Sequence, residues 1–134
     1  MPGIAFSQIN LSHLIDHHIA LLERFGFKDE VPFSLVFFSL EERQEMESLE
    51  IFQQILRRTD AIFNKGNHYI VMLTGTDWNG ATEVLSGIQN FLDQQPDDNI
   101  VTYPEDGTNS KELLEKLQEI VEENTGMKLE LLSL

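Results

Sequence analysis

Ala61-Ile62-Phe63-Asn64-Lys65-Gly66-Asn67-His68-Tyr69-Ile70-Val71-Met72-Leu73 is the stretch that decides the fold. Two short apolar runs, Ala61-Ile62-Phe63 and Tyr69-Ile70-Val71-Met72-Leu73, flank Asn64-Lys65-Gly66-Asn67, whose Asn and Gly tolerate the positive φ of a tight turn. The spacing predicts a β-hairpin. On its N-terminal side, Met46, Leu49, Phe52, Ile55 and Leu56 keep helical period, and Arg57-Arg58 fall where positive charge complements a helix C-terminus. That helix is expected to open at Ser39, whose hydroxyl can form a capping box with Glu42, and to end near Thr59. Before it, Phe33-Ser34-Leu35-Val36-Phe37-Phe38 is apolar on both faces, as a buried central strand is.

Beyond the hairpin, Asp77 or Asn79 caps a helix with the face Ala81, Val84, Leu85, Ile88, Phe91 and Leu92, ended by Pro96. Ile100 to Tyr103 reads as a short strand and Pro104-Glu105-Asp106-Gly107 as a turn. Asn109 or Ser110 opens a last helix through Leu113, Leu114, Leu117, Ile120 and Val121, closed by Gly126. Met127-Lys128-Leu129-Glu130-Leu131 alternates as a final strand would. At the other end, Leu11, Leu14, Ile15, Ile19, Leu22 and Phe25 make an amphipathic first helix, capped by Asn10 or Ser12 and stopped by Gly26. The order α-β-α-β-β-α-β-α-β predicts an α+β sandwich: a ferredoxin-like βαββαβ core, an antiparallel sheet with helices on one face, and an N-terminal helix in addition. One domain is expected, with residues 1–31 as helix and connector and 32–134 as core.

Of the 134 residues 41% are hydrophobic, enough for a core, and 9 Lys and Arg against 23 Asp and Glu leave a net charge of -14. Such a field repels a phosphate backbone and anionic membrane surfaces, so nucleic-acid and membrane partners are not expected. The absence of cysteine excludes disulfides and thiolate-ligated metals and fits a reducing cytoplasm. No apolar run approaches the roughly 20 residues that span a bilayer, and the N-terminus has no leader pattern.

From Pro32 to Gly126 the order and spacing of these pieces resemble the diguanylate cyclase (GGDEF) family. Leu56 to Asp77 resembles its signature, in which Arg-x-x-Asp leads into a hairpin carrying Gly-Gly-Asp/Glu-Glu-Phe and then an apolar strand. Tyr103-Pro104-Glu105-Asp106-Gly107 resembles its Tyr-Pro-x-Asp-Gly segment, and Pro32 to Ser39 its first strand. The resemblance implies a site where carboxylates hold divalent metals against GTP phosphates. Here the metal-binding Asp position falls on Ser39, and the hairpin motif falls on Lys65-Gly66-Asn67-His68-Tyr69, one residue shorter than the pattern. The Asp/Glu-Glu pair has become Asn67-His68, and Lys65 brings a side chain where backbone must approach phosphate. The segment that reads guanine has no room, since only about 20 residues separate Ser39 from Asp60. The expectation is a degenerate, non-catalytic domain with no metal or cofactor, serving bacterial signalling through another protein or a second copy of itself.

One implied feature survives. Arg57 and Asp60 keep the Arg-x-x-Asp of the family's inhibitory site for cyclic di-GMP, where an Arg fork grips phosphate or guanine and an Asp accepts guanine N–H groups; Arg58 adds a cation. The plainer reading, preferred because so short a pattern arises by chance, gives Arg57 and Arg58 to the helix dipole and Asp60 to a turn. His13 and His17 stand four apart with Asp16 and His18 adjacent, a metal-pair spacing without a third ligand, and read as a polar helix face. Glu41, Glu42, Glu45, Glu47 and Glu50 read as a solvated surface, and Trp78 as a seal on the end of the core. A reassigned enzymatic pocket would need His68, Asn67 and Asp77 to converge.

Overall fold

A computed structural model describes residues 4–7, 10–27, 30–39, 56–65, 68–91 and 98–126. The elements are β1 (Ile4–Ser7), α1 (Leu11–Arg24), β2 (Phe33–Ser39), β3 (Ala61–Lys65), β4 (His68–Thr74), α2 (Trp78–Phe91), β5 (Ile100–Tyr103) and α3 (Ser110–Thr125). They build a five-stranded sheet in the order β1-β3-β4-β2-β5. The hairpin forms as expected, β3 against β4, with Lys65 opposite His68. β2 lies between β4 and β5, antiparallel to both, and is buried over nearly its whole length, as its unbroken apolar run requires. The helix expected between Ser39 and Thr59, its capping box with Glu42, the Pro96 stop and the strand at 127–131 fall outside the described residues; Leu56 to Asp60 is turn, not helix.

Two expectations are corrected. Ile4–Ser7 is a strand, pairing parallel to β3 with Ile4 opposite Ala61, so the N-terminal segment belongs to the sheet. The helices also flank both faces. α1 and α3 cover Phe33, Leu35, Phe37, Phe63, Ile70 and Met72, whereas α2 covers Val36, Phe38, Ile62, Val71 and Leu73. The missed strand is the reason. β1 and β2 run parallel to each other, and β4 and β5 run parallel in the opposite sense. Both crossovers, through α1 and through α2, move the same way across the sheet, so right-handed connections place their helices on opposite faces.

Capping follows local chemistry. Asp77 accepts from the Gly80 amide at 2.9 Å, and Asn109 accepts from the Glu112 amide at 2.9 Å while the Glu112 carboxylate reaches back to the Thr108 amide. Hydrogen bonds from the Thr108 amide and hydroxyl hold the Glu112 carboxyl below its ordinary pKa. α1 starts at Asn10 without a side-chain cap and ends in a Schellman turn, in which Gly26 at φ 75° places the Phe27 amide 2.8 Å from the Leu22 carbonyl. The outer edge of β5 is closed by its own turn: Asp106 accepts from the Thr102 amide at 2.8 Å and donates its own amide to the Thr102 carbonyl. Those groups are then unavailable to an incoming strand.

Under α1, Phe33 stacks on Tyr103 at 4.9 Å and meets the His18 ring edge-on at 5.2 Å. The buried His18 Nε2 has no hydrogen-bond partner among the described residues. Burial, helped by the neighbouring His17, lowers the His18 pKa from its ordinary value of 6.5. A base whose folded pKa is depressed takes its proton first in the unfolded chain. Its share of stability is therefore whole above pH 6.5 and is lost as pH falls below that toward the folded pKa. Urea midpoints are expected to fall between about pH 7 and pH 5 by less in His18→Leu than in the parent chain; equal slopes would refute the assignment.

Candidate functional site

The motif residues gather at one end of the sheet. Ser39, the last residue of β2, and His68, the first of β4, are cross-strand partners, and the Ser39 hydroxyl lies 3.1 Å from His68 Nδ1. The half-buried His68 ring tilts over Phe37 at 5.8 Å, and the buried Tyr69 stacks on Phe38 at 5.5 Å on the opposite face. Lys65 closes β3 opposite His68; Gly66 and Asn67 lie outside the described residues. Where the resemblance leads one to look for carboxylates, the register thus sets a hydroxyl against an imidazole. Among the described residues no group of three His, Asp or Glu side chains is placed to hold a metal.

His68 and Asp77 do not meet. His68 begins β4, whereas Asp77 lies beyond its end at Thr74 and is spent capping α2. His13 and His17 are exposed on the outer side of α1, and Asp16 turns instead toward α3, accepting from the Ser110 amide at 2.8 Å and its hydroxyl at 2.7 Å. Trp78 remains 43% exposed and is not a seal on the core.

The Arg-x-x-Asp residues occupy the opposite end of the sheet and bind each other. The buried Asp60 carboxylate receives Arg57 Nε at 3.2 Å and Nη2 at 3.1 Å, together with the Arg57 amide at 2.9 Å and the Thr74 amide at 3.1 Å. Arg57 Nη2 also donates to the Thr74 carbonyl and, at 2.9 Å, to the Thr76 hydroxyl. The Thr76 carbonyl in turn accepts from the Ser34 hydroxyl at 2.8 Å, which sits 3.0 Å from the Thr102 hydroxyl. The two motif fragments, Arg57 to Asp60 and Tyr103 to Gly107, are thereby joined by an unbroken hydrogen-bonded chain through Thr76, Ser34 and Thr102 to Asp106. None of those three linking residues was marked by the sequence. The only signal was negative: polar Ser34 and Thr102 in strands otherwise apolar.

Beside this network lies a groove of about 750 Å³ with Leu56, Leu73, Val84 and Ile88 in its lining and Arg57 and Glu83 among its polar residues. Gly80 belongs to the same wall; a Cβ there would stand 2.9 Å from Thr76 Cγ2, so a side chain would force the Thr76 methyl to shift. The Arg57 side chain is 56% exposed, and its Nη1 makes no hydrogen bond among the described residues; Arg58 is exposed.

No family model and no curated protein sequence matches the chain. Its fold is shared with the crystal structure of a sensory box/GGDEF family protein from Caulobacter crescentus CB15, with a TM-score of 0.67 and 15% sequence identity over 90% of this chain and 93% of that one. The α+β, GGDEF-like architecture expected from the sequence is the one found. No described helix is long and apolar enough to cross a membrane.

Proposed function

We propose that the chain is a degenerate, non-catalytic GGDEF-like domain, a regulatory or protein-interaction module of bacterial cytoplasmic signalling. The observation that carries this reading is the Ser39–His68 pair. Oxygen-ligated magnesium requires carboxylates, and at these two positions a hydroxyl and an imidazole are hydrogen-bonded to one another. Neither brings the negative charge that would hold two divalent ions against a triphosphate, and the -14 of the whole chain repels that substrate without metal to screen it. Incubation with GTP and magnesium or manganese is expected to yield no pyrophosphate and no cyclic di-GMP above a protein-free control. Turnover that disappears in a Ser39→Ala, His68→Ala variant would overturn the reading.

A second reading, a cyclic di-GMP receptor using Arg57, Arg58 and Asp60, draws on the groove, which has the size of a small-molecule site, and on the unengaged Arg57 Nη1 at its side. Asp60 already accepts five protein donors, so a ligand must compete with them. Calorimetry without magnesium separates the readings: micromolar binding lost in Arg57→Ala supports a receptor, and silence disposes of it.

A further inference from the structure

We infer that the groove beside Arg57 is a site for a zwitterion with an apolar body, an α-amino acid bearing a large apolar side chain. Arg57 and Glu83 both line it, and the geometry brings them to the same part of it. Arg57 Nη2 donates to the Thr76 hydroxyl at 2.9 Å, and the Thr76 methyl is the group that a Gly80 Cβ would strike. Glu83 stands three residues beyond Gly80 on α2, and a helical side chain leans over the turn that precedes it. The guanidinium and the carboxylate therefore flank the gap that Gly80 leaves. Neither answers the other. Arg57 pairs with Asp60 and keeps Nη1 open, while Glu83 makes no hydrogen bond or ion pair among the described residues. The walls beside them are apolar: Leu56, Leu73 and Ile88 are buried and Val84 half-buried. Gly87 keeps the groove open further along α2, since a Cβ added there would meet nothing within 4 Å.

Charge selects the class of ligand. A guanidinium and a free carboxylate on one groove accept an anion and a cation together, and a molecule carrying only one of these leaves the other protein charge unanswered. The field of -14 repels a dianion such as cyclic di-GMP, whereas a zwitterion has no net charge for it to act on. The carboxylate of an amino acid would take Arg57 Nη1, its ammonium would take Glu83, and its side chain would lie against Leu73, Val84 and Ile88. A groove of about 750 Å³ is within the range of small-molecule sites and admits the largest apolar side chains. The inference rests on the reading of the domain as a regulatory module, to which it supplies a ligand. A pyrophosphate assay tests that reading and amino-acid binding tests this one, so either can fail alone.

Calorimetric titration of the full chain with L-phenylalanine is expected to give a Kd below about 1 mM. Phenylpropanoate, which lacks the ammonium, and phenethylamine, which lacks the carboxylate, should each bind at least about tenfold more weakly. Glu83→Gln, at an exposed position, should erase the preference for L-phenylalanine over phenylpropanoate while the circular dichroism matches the parent. Gly87→Leu fills the groove without a clash and improves helix propensity. Its thermal midpoint should equal or exceed the parent's, and its affinity for L-phenylalanine should fall at least about tenfold. Silence with L-phenylalanine, L-leucine and L-tryptophan, equal binding of the three phenyl compounds by the parent, or binding indifferent to Gly87→Leu would overturn the assignment.

Discussion

Asp60→Ala is expected to lower the unfolding free energy by about 3 kcal/mol, because it strips two part-buried backbone amides of their acceptor. The Asp60 side chain is 2% exposed, and its carboxylate is where the Arg57 amide, the Thr74 amide and the Arg57 guanidinium all converge. A buried amide left without a partner costs on the order of 1–3 kcal/mol, and two part-buried ones are left here. The ion pair adds little to that sum, since Arg57 is half in solvent and screened there. Asp60→Asn should cost less, because it keeps the volume and one acceptor, although its amide nitrogen now faces donors. Urea unfolding with an unchanged slope decides the matter; a loss under about 1 kcal/mol for Asp60→Ala would mean that water reaches these amides. The result also bears on ligand binding. If Asp60 is this deeply committed to holding the turn before β3 against the end of β4, a nucleotide can recruit it only by dismantling that turn. Arg57 Nη1 is then the part of the pair left for an external group.

The elements that could be read in the sequence are those whose signals are local. α3 announces itself through Asn109, the stripe from Leu113 to Val121 and Gly126 within one continuous run, and β2 through apolar residues on both faces. β1 could not be read: Ile4-Ala5-Phe6-Ser7 has neither alternation nor length, and it becomes a strand because β3, more than fifty positions later, offers an edge. The mistaken placement of all helices on one face descends from that omission, since handedness assigns α1 a face only once the strand before it is known. The candidate site divides in the same way. Arg57 and Asp60 stand three apart and were visible as a pair. Their partners Thr74 and Thr76 arrive through the hairpin, and Ser39 meets His68 only because the register of β2 against β4 brings together residues 29 positions apart.

Asp16 is the remaining residue whose role exists only in three dimensions, and Asp16→Ala is expected to cost about 2 kcal/mol. Read along the chain, it is one acid among three histidines on a polar helix face. In the fold its two oxygens take the Ser110 amide and hydroxyl, 94 positions away, at the first turn of α3. That amide has no acceptor within its own helix, and a negative charge at a helix N-terminus is favourable, so one carboxylate both caps α3 and fixes the angle at which α1 lies beside it. Ser110 is buried, hence the lost bond is not simply exchanged for one to water. A cycle with Ser110→Ala isolates the hydroxyl bond and should return a coupling of about 1 kcal/mol, with the rest of the Asp16 effect persisting through the amide. Hydrogen exchange at the Ser110 amide should accelerate in Asp16→Ala while the amides of β2 and β4 stay protected until global unfolding. Unchanged exchange at Ser110 would show that α3 is held by Asn109 alone. Selective loosening would instead identify Asp16 as the polar tie that fixes the first turn of α3 against α1, beside the apolar packing of Leu11, Ile15, Ile19 and Leu22 on the core.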